Sequence, residues 1–165
     1  MASLIKRIIY HNSKKTFRKY LTNAIFREAE TKLDEGGYNK HIKIPDGVTE
    51  ILDQAFWSNP SLKSIIISKS VTSIGDYSFY NCGSLKHILI PEGVSIIGFR
   101  AFEGCSNLKN VIIPESINYL GNKAFAFSRN MKKLSIPEKY KYCITKKYCN
   151  VFDCVDLTNV EITYI

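Results

Sequence analysis

A repeat of 23 residues runs through most of this 165-residue chain and constrains its fold more than any other feature. A short apolar run, followed by proline in most copies, begins again at this interval, at Ile42, Ile65, Ile88, Val111 and Leu134. A phenylalanine recurs at the same interval, at Phe56, Phe79, Phe102 and Phe125. A fixed period shared by several columns is the sequence signature of a stacked-repeat architecture.

Each repeat unit contains one short strand. The segment from Leu85 to Ile90 follows the pattern Leu-x-x-Ile-x-Ile, an alternation that buries every second side chain of a strand. Pro91 then ends the strand, because proline cannot donate a ladder hydrogen bond. One coil cannot cover its own apolar face, whereas a stack of five can. The repeat therefore predicts a right-handed solenoid with one parallel strand per 23-residue coil and the phenylalanines stacked inside.

The unit from Leu85 to Leu108 resembles the BspA-like, or Treponema pallidum-type, class of leucine-rich repeats. The pattern of that class reads roughly L-x-x-I-x-I-P-x-x-V-x-x-I-G-x-x-A-F-x-x-C-x-x-L. The resemblance implies an α/β leucine-rich-repeat solenoid over residues 42–165, with five coils, the last irregular, and a final edge strand. Members of the class serve as adhesins, surface antigens and intracellular binding modules, so a binding role is implied as well.

The last coil departs from the period. Leu134 and Val160 are 26 residues apart, which predicts a three-residue insertion between Cys143 and Val151. After the insertion we expect Val151 in the phenylalanine column and Cys154 in the cysteine column of Cys82 and Cys105. Val160 would then begin the final strand.

Residues 1–41 form a separate basic segment. An apolar residue recurs every four positions, at Phe17, Leu21, Ile25, Ala29 and Leu33, which predicts an amphipathic helix of about five turns. One expected role is to cap the open end of the solenoid. The alternative is a helix that lies on a membrane or in a partner's groove through its lysines and arginines.

The strand columns predict a binding surface on the concave face. The first outward column contains Lys40, Lys63, Lys86, Lys109 and Lys132, and it ends at Thr158. The third outward column contains an aliphatic row, Ile66, Leu89 and Ile112, and His87 lies in the column between. Repelling ammonium groups beside exposed aliphatic side chains favour an acidic protein partner. The alternative is that the lysine column is a solvated feature of the repeat consensus.

No catalytic or metal-binding set can be assembled from the sequence. The histidines lack metal-ligand spacing, and no nucleophile or phosphate-loop motif is found, so we expect neither an enzyme nor a cofactor. The aromatic residues belong to core columns and are not interleaved with the lysines, so nucleic-acid binding by base stacking is not predicted.

The function predicted from these features is a protein-interaction module. Five cysteines, an odd number, together with the absence of a signal peptide or a transmembrane-length segment, favour the cytoplasm or the nucleus. There the module would act as a scaffold or regulator, with a signalling enzyme such as a protein phosphatase as one partner class. The alternative is a surface-exposed adhesin or antigen. We also expect a homo-oligomer formed through the final strand, with Val160, Ile162 and Tyr164 at the contact.

Overall fold

The computed structural model describes residues 41–145 and 150–165. These residues form a parallel β-solenoid of about four turns, with coils of about 23 residues, which confirms the predicted fold class. The predicted N-terminal helix, Lys40 and Cys149 lie outside the described residues. The first strand begins at His41, and the predicted division between residues 1–41 and 42–165 stays a prediction.

A six-stranded parallel sheet forms one face of the solenoid. Its strands, in spatial order, are β1 (His41–Lys43), β3 (Ser64–Ile66), β5 (His87–Leu89), β7 (Asn110–Ile112), β9 (Lys133–Ile136) and β10 (Glu161–Tyr164). Equivalent residues of successive coils pair directly, so that Ile65 lies opposite Ile88 and Ile88 opposite Val111. The 23-residue period is therefore a spatial register as well as a sequence pattern.

A second, four-stranded parallel sheet was not predicted from the sequence. It consists of the two-residue strands β2 (Glu50–Ile51), β4 (Ser73–Ile74), β6 (Ile96–Ile97) and β8 (Tyr119–Leu120). The glycine that follows β6 is required by the close approach of neighbouring coils. A Cβ atom on Gly98 would lie 2.6 Å from the backbone nitrogen of Asp76 and 2.6 Å from the carbonyl carbon of Gly75.

The interior is built around a stack of five phenylalanine rings. Neighbouring ring centroids are 4.9 to 5.7 Å apart and the rings are within 14° of parallel, in the order Phe56, Phe79, Phe102, Phe125 and Phe152. The three central rings are fully buried, whereas Phe56 is partly exposed. The prediction of a stacked phenylalanine column is confirmed.

Cys82 and Cys105 have a structural role in the cysteine column. The Cys105 thiol donates to the carbonyl oxygen of Phe79 at 3.3 Å, and the Cys82 thiol donates to that of Phe56 at 3.1 Å. Burial raises the pKa of the Cys105 thiol, which disfavours the reactive thiolate. These thiols therefore satisfy turn carbonyls of the preceding coil and are poor nucleophiles.

The described helices are short and confined to the last coil. They are the one-turn helix α1 (Tyr142–Thr145) and two 3-10 helices, Glu138–Tyr140 and Leu157–Asn159. The coils before them return from one sheet to the other through turns.

The sequence assignment of the last coil was wrong in its phenylalanine column. Phe152, not Val151, stacks on Phe125, at 5.7 Å. The backbone explains the shift, because the Phe125 N–H donates to Val151 O as the Phe102 N–H donates to Ala124 O. Val151 therefore occupies the alanine column next to the stack.

The assignment of Cys154 to the cysteine column was wrong for the same reason. The Val155 N–H donates to Phe152 O, as the Cys105 N–H donates to Phe102 O, so Val155 takes the cysteine place. Cys154 is exposed and its φ is 57°.

The final strand also has a different register from the one expected. Ile162 pairs with Leu134, 28 residues earlier, so Val160 lies just before β10 and not in it. Four of the five extra residues lie between Phe125 and Phe152, and the fifth lies between Phe152 and Ile162, where the chain forms the 3-10 helix Leu157–Asn159. Asp156 caps that helix by accepting from the Thr158 N–H at 3.0 Å.

Candidate functional site

The outward side of the six-stranded sheet carries three parallel columns of side chains, which we call the sheet face. The middle column contains His41, Ser64, His87, Asn110, Lys133 and Glu161. The third column contains Lys43, Ile66, Leu89, Ile112, Ser135 and Thr163. The first column lies one residue before the strands and contains Lys63, Lys86, Lys109 and Lys132, which we call the lysine ladder.

The lysine ladder is held in register by the backbone. The N–H of Lys86 donates to Lys63 O at 3.3 Å, and the N–H of Lys109 donates to Lys86 O at 2.9 Å. Lys132 continues the series with a bond to Lys109 O at 2.7 Å. Neighbouring lysine backbones are thus one strand spacing apart, about 4.8 Å. Lys40, the first member predicted, lies outside the described residues.

The ladder is an electrostatically unsatisfied surface. All four side chains are exposed, and within residues 41–145 and 150–165 none has a carboxylate oxygen within 4.0 Å. Two unit charges about 4.8 Å apart repel by about 1 kcal/mol even in water. Side chains can splay to reduce this repulsion, but an anionic group placed along the ladder would be attracted by several lysines at once.

The aliphatic row lies on the same face. Ile66, Leu89 and Ile112 expose 63%, 66% and 43% of their surface. The residues that precede them, such as Ile65 and Ile88, are buried in the core, so strand alternation turns the aliphatic row outward. Three consecutive exposed aliphatic side chains form a small contiguous apolar patch, the kind of surface that marks a contact site.

The middle column is polar, and its two ends are internally paired. His87 is exposed between the ladder and the aliphatic row. At one end, His41 Nδ1 and Ser64 Oγ are 2.7 Å apart. At the other, Lys133 Nζ lies 2.9 Å from a Glu161 carboxylate oxygen. The sequence analysis missed this ion pair, because it began the final strand at Val160, a register that does not place Glu161 opposite Lys133.

The residues predicted for self-association are not equivalent in the structure. Ile162 and Tyr164 are aligned with the buried Leu134 and Ile136 and pack against the core, half-buried. Val160 closes the preceding 3-10 helix. Among the described strands, β10 pairs only with β9, so the exposed feature at this edge is the backbone.

A cluster of aromatic side chains lies away from the sheet face and was missed by the sequence analysis. Trp57 stacks on Tyr77 at 5.4 Å and contacts Tyr80 at 4.9 Å, and the Arg100 guanidinium lies 5.0 Å from the Phe99 ring centroid. The sequence signal is an aromatic residue directly after the phenylalanine column in two successive units. All these side chains are half-buried and mostly cover one another, so the cluster packs the flank of the solenoid.

Neither a cluster of metal ligands nor a helix that could span a membrane is found in the part of the chain that the structure describes. Residues 41–145 and 150–165 contain no group of three or more His, Cys, Asp or Glu residues placed to hold a metal ion. No helix among them is both long and apolar enough to span a bilayer.

Comparison with known proteins identifies the repeat. The family described as BspA type leucine rich repeat region matches residues 34–152, in six copies. The chain belongs to the BspA-type leucine-rich-repeat family. Families of this kind are typically non-enzymatic repeat scaffolds, and the chain is a leucine-rich-repeat protein-interaction module.

Three solved structures show the same BspA-type architecture. A leucine-rich repeat protein from Bacteroides ovatus is 28% identical, with a TM-score of 0.62 over 76% of this chain and 30% of its own. The pneumococcal vaccine antigen PcpA is 25% identical, with a TM-score of 0.59 over 61% of this chain and 25% of its own. A leucine-rich cell surface protein from Faecalibacterium prausnitzii is 28% identical, with a TM-score of 0.59 over 80% of this chain and 37% of its own.

The chain therefore spans only about a quarter to a little over a third of these proteins. No curated protein matches it.

Proposed function

We propose that this BspA-type module binds a protein partner through the sheet face, and that the partner presents acidic side chains beside an apolar strip. The observation that carries the proposal is the position of the exposed aliphatic row next to the lysine ladder. Each feature alone is common on a protein surface. Together they provide an apolar contact and a charge preference on one rigid sheet.

Leu89 is expected to contribute most to this contact. It is the most exposed member of the row, at 66%, and it lies between Ile66 and Ile112 in the pairing register. Fully burying such a side chain is worth about 1.5–3 kcal/mol, so the exposed part of Leu89 offers on the order of 1–2 kcal/mol. The exposed parts of the three residues together offer on the order of 3–5 kcal/mol, less than the about 8 kcal/mol of a micromolar affinity, so binding at that affinity would need further contacts, which the ladder can supply.

The test is partner capture from the native cell followed by affinity measurement with variants of the sheet face. We expect Leu89→Asp to weaken binding at least tenfold, because it places a charge in the apolar contact. The double substitution Lys86→Glu with Lys109→Glu should do the same by reversing the ladder's charge, and the wild-type affinity should fall as salt is raised. None of these changes removes a core side chain, so the melting curves should stay close to wild type.

Matched controls separate the sheet face from general surface effects. Ile96→Asp places the same charge on an exposed aliphatic residue of the second sheet, and Lys69→Glu reverses an exposed lysine in a turn. Both should bind as wild type. Undiminished capture by Leu89→Asp and by the double lysine variant would move the binding site to another surface.

A cell-surface setting is the second candidate, and the structural comparisons favour it. Two of the similar structures are a vaccine antigen and a cell surface protein, whereas the predicted cytoplasmic or nuclear location has no support from them. In this setting the module would be part of an adhesin or antigen. The phosphatase partner stays a hypothesis from analogy alone. Antibody labelling of intact native cells decides the setting, since a surface protein is labelled without permeabilisation.

A further inference from the structure

The lysine ladder and the aliphatic row are two parallel lines that run along the solenoid, across its strands. A ladder lysine and the aliphatic residue of the same coil, such as Lys86 and Leu89, are three positions apart in sequence. At about 3.3 Å per residue, the two lines are at most about 10 Å apart. A partner that contacts both lines must therefore be about 10 Å wide and must lie along the stack.

The repeat distance along these lines distinguishes the secondary structures that could lie there. Successive coils are about 4.8 Å apart, so the four ladder lysines span about 14 Å. An α-helix presents one side chain per turn along a given line, about every 5.4 Å, and falls out of step with the ladder by only about 2 Å over this span. An extended strand presents one every 6.8 Å or so and falls out of step by about 6 Å. The smaller mismatch requires less displacement of the lysine side chains, so a helix matches the ladder better than a strand.

The width also favours a helix. With its side chains an α-helix is about 10–12 Å across, so an apolar stripe and an adjacent acidic flank can contact both lines at once. A strand lying along the solenoid would direct every second side chain toward the sheet face. These side chains form a single row, which cannot contact two lines about 10 Å apart.

We propose that the sheet face receives an amphipathic α-helix of about three turns, lying along the solenoid, with aliphatic side chains on the Ile66–Leu89–Ile112 row and Asp or Glu side chains along the ladder. This inference rests on the proposed function and adds to it the secondary structure and orientation of the bound element. The polar middle column, with His87 and Asn110, lies beneath the helix between the two lines.

Two synthetic peptides of identical composition test the helix. In one, leucines recur at helical spacing with glutamates on the adjacent flank, and a side-chain staple on the opposite face holds the helix. In the other, unstapled, the same residues alternate at the spacing of a strand. Binding to the whole protein is measured by fluorescence anisotropy. A third peptide, stapled like the first, replaces each glutamate with lysine, and a fourth carries the glutamates without the leucines.

We expect the helical acidic peptide to bind at least tenfold more tightly than the other three. Its binding should weaken at least tenfold with Leu89→Asp and with Lys86→Glu plus Lys109→Glu, and should be unchanged with Ile96→Asp and Lys69→Glu. An unstapled version of the same sequence should gain helical circular dichroism on binding.

The failures of the two proposals are distinguishable. If the strand-patterned peptide binds as well as the helical one, or better, and is still sensitive to Leu89→Asp, the helix is wrong and the sheet face is right. If the leucine-free peptide binds equally well, the aliphatic row is not used and the helix proposal fails. Helical-peptide binding that is unchanged in both face variants overturns the helix proposal, and undiminished partner capture by the same variants overturns the sheet-face proposal. Absence of binding up to roughly millimolar peptide overturns the helix alone, because the sheet face is tested separately by partner capture.

Discussion

Removal of one ring from the phenylalanine stack should be among the most costly single changes in this protein. Phe102 is 0% exposed, and its ring is 4.9 Å from that of Phe79 and 5.2 Å from that of Phe125. Replacing a buried Phe with Ala costs about 3–5 kcal/mol through lost transfer energy and the cavity left behind. We expect Phe102→Ala to fall in the upper half of that range. The paired strands on either side hold the coils one strand spacing apart, so the cavity cannot collapse.

Phe56 provides the matched comparison, because it lies at the end of the stack. It has one ring neighbour, Phe79, at 5.0 Å and is partly exposed, so Phe56→Ala should cost about half as much. Phe102→Leu keeps most of the volume and should cost less than about 1.5 kcal/mol, which provides a folded variant if Phe102→Ala does not fold.

Urea denaturation gives the required free energies. Far-UV circular dichroism follows the sheets, and fluorescence follows Trp57, the single tryptophan of the chain. Coincidence of the two transitions shows that the solenoid unfolds as one unit, which a repeat protein need not do. A cost below about 1 kcal/mol for Phe102→Ala, or equal costs for Phe102→Ala and Phe56→Ala, would show that the stack does not carry the stability assigned to it.

Two further changes test the backbone. Gly98→Ala should destabilise the fold by more than about 1 kcal/mol, because its Cβ would meet the preceding coil's backbone at 2.6 Å, whereas Gly83→Ala, with its nearest neighbour at 3.6 Å, should be nearly neutral in the same urea melts. Homo-oligomer formation through β10 stays a prediction, measured by light scattering. The N–H groups of Glu161 and Ile165 donate toward β9, so by alternation that of Ile162 points to the other edge. Ile162→Pro should abolish association and leave the fold intact, while Thr163→Pro should damage the fold; an oligomer that survives Ile162→Pro contradicts edge pairing.

Most of the fold could be read from the sequence because the period is constant where the coils are regular. A column such as Ile65, Ile88 and Val111 predicts pairing and burial together, and the structure has both. The second sheet could not be read in the same way. Its strands have only two residues each, too short for an alternation to show.

The last coil was misassigned because two registers satisfy the apolar pattern. Val160 and Ile162 are both β-branched and differ by two positions, so either one can follow Leu134 with the same side chains facing inward. Backbone pairing selects Ile162. Both the insertion before Phe152 and the capped 3-10 helix after it lack a counterpart in the earlier described coils, so the repeat itself carried no information about their length.

The positions of the sheet-face residues followed from the same alternation, but the ends of the face did not. Because the expected register placed Glu161 two positions away from the column that it occupies, the repeat pattern did not indicate its ion pair with Lys133. In the structure, Lys133 of the middle column is paired with Glu161 at that end, whereas within the described residues the neighbouring Lys132 of the ladder is not.

The third column of the sheet face differs from the columns that simply repeat through every coil. Residues that the fold requires, such as the stacked phenylalanines, continue through every described coil. The lysine ladder also continues through four coils, so its regularity is compatible with a repeat consensus that is merely solvated. The aliphatic row behaves differently: it begins after Lys43 and ends before Ser135 and Thr163, although the strand geometry at those positions is the same. The fold accepts polar residues in the third column at both ends of the sheet. Folding alone therefore does not require exposed aliphatic residues in that column in the middle coils. An apolar centre with polar margins is the arrangement of a protein-protein interface, and this change of residue type at constant backbone geometry is the strongest reason to place the partner on the sheet face.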